Sequence, residues 1–212
     1  EHLRQRGFDP HTPALSPNET SEVKAQQLAA ALDEILSKTG AERVHLIGHS
    51  QGGLDGRVLY HDPTYGPLIS TLTTIATPHR GIPIPLIHLA LRHDFSPEAM
   101  VDFNARYPDL PSARIFSWSF RSCALLSRSC QRESDGERID ALLIPSFRLL
   151  QVADGDNDGI VPTSSMSWGQ HQGLRYADHF DEIGQIADAP GQNESFDHFS
   201  FYLEVAVHLI GL

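Results

Sequence analysis

The chain predicts an α/β fold with a doubly wound, mostly parallel sheet, and three observations carry that expectation. Short apolar or β-branched runs at 44–47, 71–76 and 115–118 alternate with stretches of helical periodicity. The first run is almost continuously apolar, as a strand buried on both faces must be. That run also opens directly into a serine flanked by glycines, Gly48-His49-Ser50-Gln51-Gly52.

The elements follow in order. Residues 1–6 read as the last turns of a helix, with Gly7 as its stop. Residues 8–15 are extended and punctuated by proline. Leu28, Ala31, Leu32, Ile35 and Leu36 recur at the 3.6-residue period of a helix that stops at Gly40. Residues 44–47 form the first strand, and a helix runs from Gly52 to about Tyr60. The β-branched run 71–76 is the next strand. Ser96-Pro97-Glu98 starts a helix with a capping hydroxyl and a proline at its first position. Ile115-Phe116-Ser117-Trp118 is a further strand, residues 140–150 a helix despite Pro145, and residues 196–209 an aromatic-rich closing helix.

Composition narrows the function classes. A chain of 212 residues fits one domain with a substantial core, so residues 1–212 are expected to form a single unit. A net charge of −11 opposes nucleic acid or an anionic membrane as partner. It leaves a neutral lipid surface open. No run of 18 apolar residues predicts a transmembrane segment. The opening Glu1-His2-Leu3-Arg4 is no signal peptide, and starting inside a helix predicts that sequence upstream of Glu1 is missing. Cys123 and Cys130 can pair only if the stretch between them is irregular, because a helix would hold their Cα atoms about 10 Å apart.

The glycine-flanked serine carries the chemistry. On a sharp turn from strand to helix, small residues two before and two after the serine let the backbone pass closely. The hydroxyl then stands clear of the sheet, and the backbone N–H of Gln51 faces the oxyanion that forms when Ser50 attacks a carbonyl. Ser50 is therefore the predicted nucleophile of a serine hydrolase. Such an enzyme orders its triad Ser, then Asp or Glu, then His. The segment Asp154-Gly155-Asp156-Asn157-Asp158-Gly159, placed where a strand is expected to end, offers the acid. Among later histidines His208 falls inside the last helix, and the pattern leaves His171, His179 and His198 open.

Several segments resemble the bacterial true-lipase family, the secreted calcium-dependent triacylglycerol lipases of the α/β-hydrolase fold. They are Gly40 through Gly53, Thr74-Ile75-Ala76-Thr77-Pro78-His79-Arg80-Gly81, Phe103 through Pro108, Asn157-Asp158-Gly159-Ile160-Val161 and His179 through Gln185. The resemblance implies Asp158 as triad acid and His179 as base. It implies a structural calcium beside the histidine loop, with Asp181 and Gln185 as ligands and the carbonyl of Ala189 as a backbone ligand. A further acid is drawn from Asp135, Glu137 and Asp140, with Asp135 favoured because it can cap a helix. It also implies secretion to an extracellular location, acylglycerol substrates met at a lipid–water interface, and a lipase-specific foldase.

Two departures limit what the resemblance implies. The family carries an upstream strand ending in His-Gly that supplies the second oxyanion donor, and this chain has no His-Gly. Full activity is thus expected to need an absent N-terminal segment. Residues 82–95 are short where the family inserts a lid; they read as a reduced lid or as a buried connecting helix. The leading expectation is a triacylglycerol lipase or esterase. A thioesterase or polyester depolymerase of the same fold, and a catalytically impaired binding domain, stand as alternatives.

Overall fold

The computed structural model describes residues 1–91, 95–110, 114–185 and 196–211, without the side chains of residues 89–91. Eight helices and four strands are described: α1 (His2–Gln5), α2 (Ser21–Thr39), β1 (Val44–His49), α3 (Gln51–Tyr60), β2 (Ile69–Ile75), α4 (Pro85–Leu91), α5 (Pro97–Arg106), β3 (Ile115–Arg121), α6 (Arg128–Glu133), α7 (Ile144–Ala153), β4 (Gln170–Tyr176) and α8 (His198–Ile210). The strands form one sheet in the order β1-β2-β3-β4, every pair parallel.

Helix ends follow the sequence signals. Thr20 caps α2 by accepting from the Val23 amide, and Gly40 ends it at φ 70°. Ser96 caps α5 through the Ala99 amide at 3.2 Å. Pro145 stands in the first turn of α7, so the helix starts at Ile144 and its proline interrupts nothing.

Strand register assigns the two faces. Thr73 pairs with Phe116 and Ile75 with Trp118, so these four side chains share one face. Phe201 of α8 meets Trp118 and Phe120 edge-on, which places α8 on that face. Leu72 and Thr74 point the other way, and there α3 lies so close that a Cβ on Gly53 would sit 2.1 Å from Thr77 Oγ1 and one on Gly56 2.7 Å from Leu72. A smaller cluster of Ala25, Leu28, Ala29, Leu59 and Ile69 joins α2 to α3. Helices thus cover both faces of a parallel sheet, the doubly wound α/β arrangement.

Three expectations need adjusting. The strand β4, Gln-His-Gln-Gly-Leu-Arg-Tyr, lies at a sheet edge with no buried residue and had no apolar pattern to announce it. The acid-rich loop follows helix α7, where a strand end was expected. Residues 82–95 contain α4, with Ile82 and Ile87 buried in the core and Leu86 exposed; residues 92–94 lie outside the described residues. Cys123 and Cys130 form a disulfide with Cα atoms 5.7 Å apart, because residues 122–127 are irregular. No described helix is long and apolar enough to cross a membrane.

One buried acid makes stability pH-dependent. Asp55 of α3 is 1% exposed, and burial pushes its pKa up to about 7, eased by a hydrogen bond to Ser21 and the charge of Lys24. The folded pKa lies above the unfolded one, so the folded state holds the proton more tightly. Stability therefore falls as pH rises from about 4 to 7 and then levels off. Asp55→Asn is expected to raise the melting temperature at pH 8 by several degrees and to flatten its pH dependence, as thermal unfolding across that range would read.

Candidate active site

Ser50 stands between the end of β1 and the start of α3 with φ 52° and ψ −127°, a strained backbone for a residue with a Cβ. The Ser50 amide donates to the Ile75 carbonyl at 2.9 Å, and the Gly53 amide donates to the Ser50 carbonyl at 3.1 Å. Gly48 is required because a Cβ there would lie 2.4 Å from the Gly52 carbonyl oxygen. Gly52 has open space around it, so the second close approach belongs to Gly53. Gln51 begins α3, where amides have no intrahelical acceptor. Its side chain is held by Lys24 Nζ and the Glu19 carbonyl, each at 2.9 Å, which steadies the backbone N–H beside Ser50.

Of the three histidines left open, one faces the serine. His179 Nε2 lies 3.0 Å from Ser50 Oγ, and His179 Nδ1 lies 2.7 Å from Asp158 Oδ2. The carboxylate fixes the proton on Nδ1 and leaves Nε2 with a lone pair toward the hydroxyl. Asp158 is fully buried, and its other oxygen accepts from the amides of Ile160 and Val161. A backbone bond from the His179 amide to the Asp158 carbonyl ties the two residues again. His171 is on β4, bonded to Ser119 at 2.9 Å. His198 starts α8 and packs on the Gly184 turn, where a Cβ would meet its ring at 2.4 Å. Asp154 and Asp156 are occupied by Ser164 and Arg121.

Sequence reasoning missed two neighbours of this triad. His49, the residue before the nucleophile, places Nε2 2.7 Å from Glu182 Oε2, and that same oxygen is 3.6 Å from His179 Nδ1. Glu182 is fully buried, and burial, then the nearby charge of Asp158, push its pKa well above the usual carboxylate range. Burial, then His179, hold His49 well below its ordinary value, so its ring is neutral.

The predicted metal ligands separate. Glu137, Asp178 and Asp181 are buried, and their ligand oxygens lie within 4.8 Å of one another. Asp135, the favoured fourth acid, stands exposed on a turn at φ 55° and is not in this cluster. It caps no helix, since α7 begins only at Ile144, whereas Glu137, weighed for the same place, is in the cluster. Asp140 meets the cluster through its backbone, its amide donating to Asp178 at 2.7 Å. Asp178 also accepts from the amides of Phe180 and Asp181, which folds the histidine loop around it. Gln185 is exposed, its amide bonded to the Phe180 carbonyl, and Ala189 lies outside the described residues. An all-oxygen set of buried carboxylates fits a hard cation such as calcium.

Comparison with known proteins gives similar lipases and esterases. A triacylglycerol lipase of Pseudarthrobacter phenanthrenivorans is 48% identical over 58 residues, 27% of this chain and 18% of that protein. Triacylglycerol lipase 2 of Saccharomyces cerevisiae is 30% identical over 211 residues, 84% of this chain and 60% of that protein. The chain thus spans less than two thirds of these relatives' length. Among solved structures, a metagenomic carboxyl esterase matches with a TM-score of 0.77 at 17% identity, over 99% of this chain and 68% of that one. The lipase of Staphylococcus hyicus matches with a TM-score of 0.69 at 17% identity, over 98% of this chain and 86% of that one. At such identity the two structures speak to the fold alone. The family model for the alpha/beta hydrolase fold matches residues 3–136, well over half of the chain. With its parallel sheet and its strand–serine–helix turn, this chain belongs to the alpha/beta hydrolase family.

Proposed function

We propose that the chain is a serine carboxylic ester hydrolase acting through an acyl-enzyme intermediate. The observation that carries this reading is the line Ser50 Oγ, His179 Nε2, His179 Nδ1, Asp158 Oδ2, with spacings of 3.0 and 2.7 Å. In the first half-reaction Ser50 Oγ bonds to the ester carbonyl carbon as its proton passes to His179 Nε2. Asp158 holds the ring and stabilises its charged form. The Gln51 N–H donates to the oxyanion, and His179 then returns the proton to the departing alcohol. Water repeats the sequence to release the acid. Fluorophosphonate labelling of Ser50 tests the reading, and an unlabelled, folded protein would leave only the impaired binding domain.

The finer reading is a secreted triacylglycerol lipase that works on acylglycerols at a lipid–water interface, with a foldase as folding partner. Two named triacylglycerol lipases among the relatives support it, and a disulfide suits an extracellular location. Thioesters and polyesters would use the same triad. A chain-length series of p-nitrophenyl esters, with thioester and polyester arms, separates these substrates. A short α4 in place of a large lid predicts a preference for short esters and no sharp rise in rate above the substrate's solubility limit.

Calcium is proposed for Glu137, Asp178 and Asp181. Bound there, the ion would neutralise the carboxylates and pin the loop that carries His179, two residues from Asp181. The expected result is a melting temperature that falls on EDTA treatment and recovers with calcium, a stabilisation of about 2.7 kcal/mol when calcium is 100 times its Kd. Glu137→Gln should remove most of that response while Asp135→Asn keeps it. Loss of the response in Asp135→Asn would return Asp135 to the ligand set, and a full response in Glu137→Gln would remove Glu137 from it.

A further inference from the structure

The reaction drawn above uses neither His49 nor Glu182, yet both are built into its core. Glu182 Oε2 contacts His49 Nε2 at 2.7 Å and lies 3.6 Å from His179 Nδ1, which itself is 2.7 Å from Asp158 Oδ2. Donor atoms of His49, His179 and Glu182 all lie within 4.8 Å of one another. Glu182 Oε1 is buried with no hydrogen-bond partner. Two fully buried carboxylates therefore converge on one imidazole nitrogen, with a second imidazole alongside.

We propose that His49 Nε2, His179 Nδ1 and Glu182 form a binding site for a divalent transition-metal ion such as Zn²⁺, and that the bound ion switches Ser50 off. Zinc takes four nitrogen and oxygen donors in a tetrahedron, with bonds of about 2.0–2.2 Å that set donors about 3.3 Å apart. The contacts of 2.7 and 3.6 Å bracket that spacing, and the three donors lie within 4.8 Å of one another, leaving the fourth position to water. The Glu182 carboxylate, with Asp158 beside His179, offsets the charge of the ion in this buried setting. The neutral His49 ring offers its lone pair, and its side chain, 16% exposed, marks the side of entry. Imidazole donors favour zinc over calcium, so this site is chemically distinct from the all-oxygen cluster at Glu137.

The consequence for catalysis follows from the tautomer. Metal on Nδ1 displaces the proton there, and the neutral ring carries that proton on Nε2 instead. The lone pair that would take the Ser50 proton is gone, and any proton held on the Glu182 carboxyl leaves as the ion binds. Asp158 no longer accepts from Nδ1 and no longer orients the ring. This consequence rests on the Ser50–His179 reading; binding of the metal does not.

Cobalt(II), a zinc-sized probe with a strong visible band in tetrahedral sites, tests binding directly in the unaltered protein with calcium in excess. The expected result is one tetrahedral Co²⁺ per chain, displaced by Zn²⁺ and lost in His49→Asn. In parallel, Zn²⁺ should block fluorophosphonate labelling and a chelator should restore it. The Zn²⁺ concentration for half-block should rise about tenfold or more in His49→Asn and Glu182→Gln, each measured against its own metal-free labelling. Absence of a tetrahedral band in the unaltered protein, or equal Zn²⁺ sensitivity in both folded variants, overturns the proposal. Labelling that fails without any metal overturns the hydrolase reading instead, and the cobalt band still decides the site.

Discussion

Ser50→Ala and His179→Ala are each expected to lower kcat by roughly 10⁴-fold or more and to abolish fluorophosphonate labelling, with thermal stability little changed. The nucleophile and the base act as one unit, so the double variant should lose hardly more than either single one. His198→Ala is the control that separates His179 from the other candidate base. His198 packs on the Gly184 turn and starts α8, so its loss should reduce stability and leave labelling intact. Abolished labelling in folded His198→Ala with retained labelling in His179→Ala would reverse the assignment. Asp158→Asn belongs to the same series: it keeps the shape, presents a different hydrogen-bonding pattern to Nδ1, and should cost about 10⁴-fold in kcat.

The turn that carries Ser50 was legible because its determinants are local. A strand, a serine with positive φ and a helix start lie within a dozen residues, and glycine marks where the backbones touch. Even there the pattern misassigned one glycine, since the close contact depends on Thr77, 24 positions after Gly53 and invisible to a five-residue motif. The base was not legible from the residues, because three histidines satisfied the same chain order and only tertiary distance separates them. The resemblance chose His179, and the geometry puts that residue against Ser50. Glu182 could not be read at all, and Glu137 stood only as one of three competing acids. A buried glutamate has no local signature, and whether an acid is solvated or enclosed depends on what folds over it. Asp135 was favoured on a helix-capping argument that failed once the helix start moved to Ile144. The edge strand β4 escaped because polar residues at a sheet edge carry no alternation.

Arg57→Met is expected to destabilise the fold by about 3–5 kcal/mol, the largest loss foreseen for a residue outside the site. Arg57 is fully buried in α3, seven residues after the nucleophile. Its guanidinium donates to His79 Nδ1 at 3.2 Å, to Asn104 Oδ1 at 2.9 Å and to the Tyr107 carbonyl, and stacks 3.7 Å from the centre of the Trp168 ring. All four partners are neutral. Burial therefore lowers its pKa to about 9, and it keeps its charge at neutral pH. Burial also holds the His79 ring neutral; it accepts from Arg57 and donates through Nε2 to Thr74 Oγ1 at 3.0 Å. One side chain thus binds α3 to the loop after β2 and to α5. Methionine fills much of the volume but leaves one buried and two partly buried acceptors without their donor, at up to about 1–3 kcal/mol each. At this chain length such a loss lowers the melting temperature by about 10 °C. Arg57→Lys should rescue little, because an ammonium cannot fork between Asn104 and Tyr107 or stack on the indole. Arg106→Met, which removes an exposed pair with Glu22, should cost no more than about 1 kcal/mol. Similar losses from the two arginines would mean that the buried network contributes no more than a surface ion pair. Because α3 begins at Gln51, any shift of its axis also moves the amide that faces the oxyanion. Loss of labelling should therefore track unfolding in Arg57→Met, and appear at temperatures where the unaltered protein still reacts.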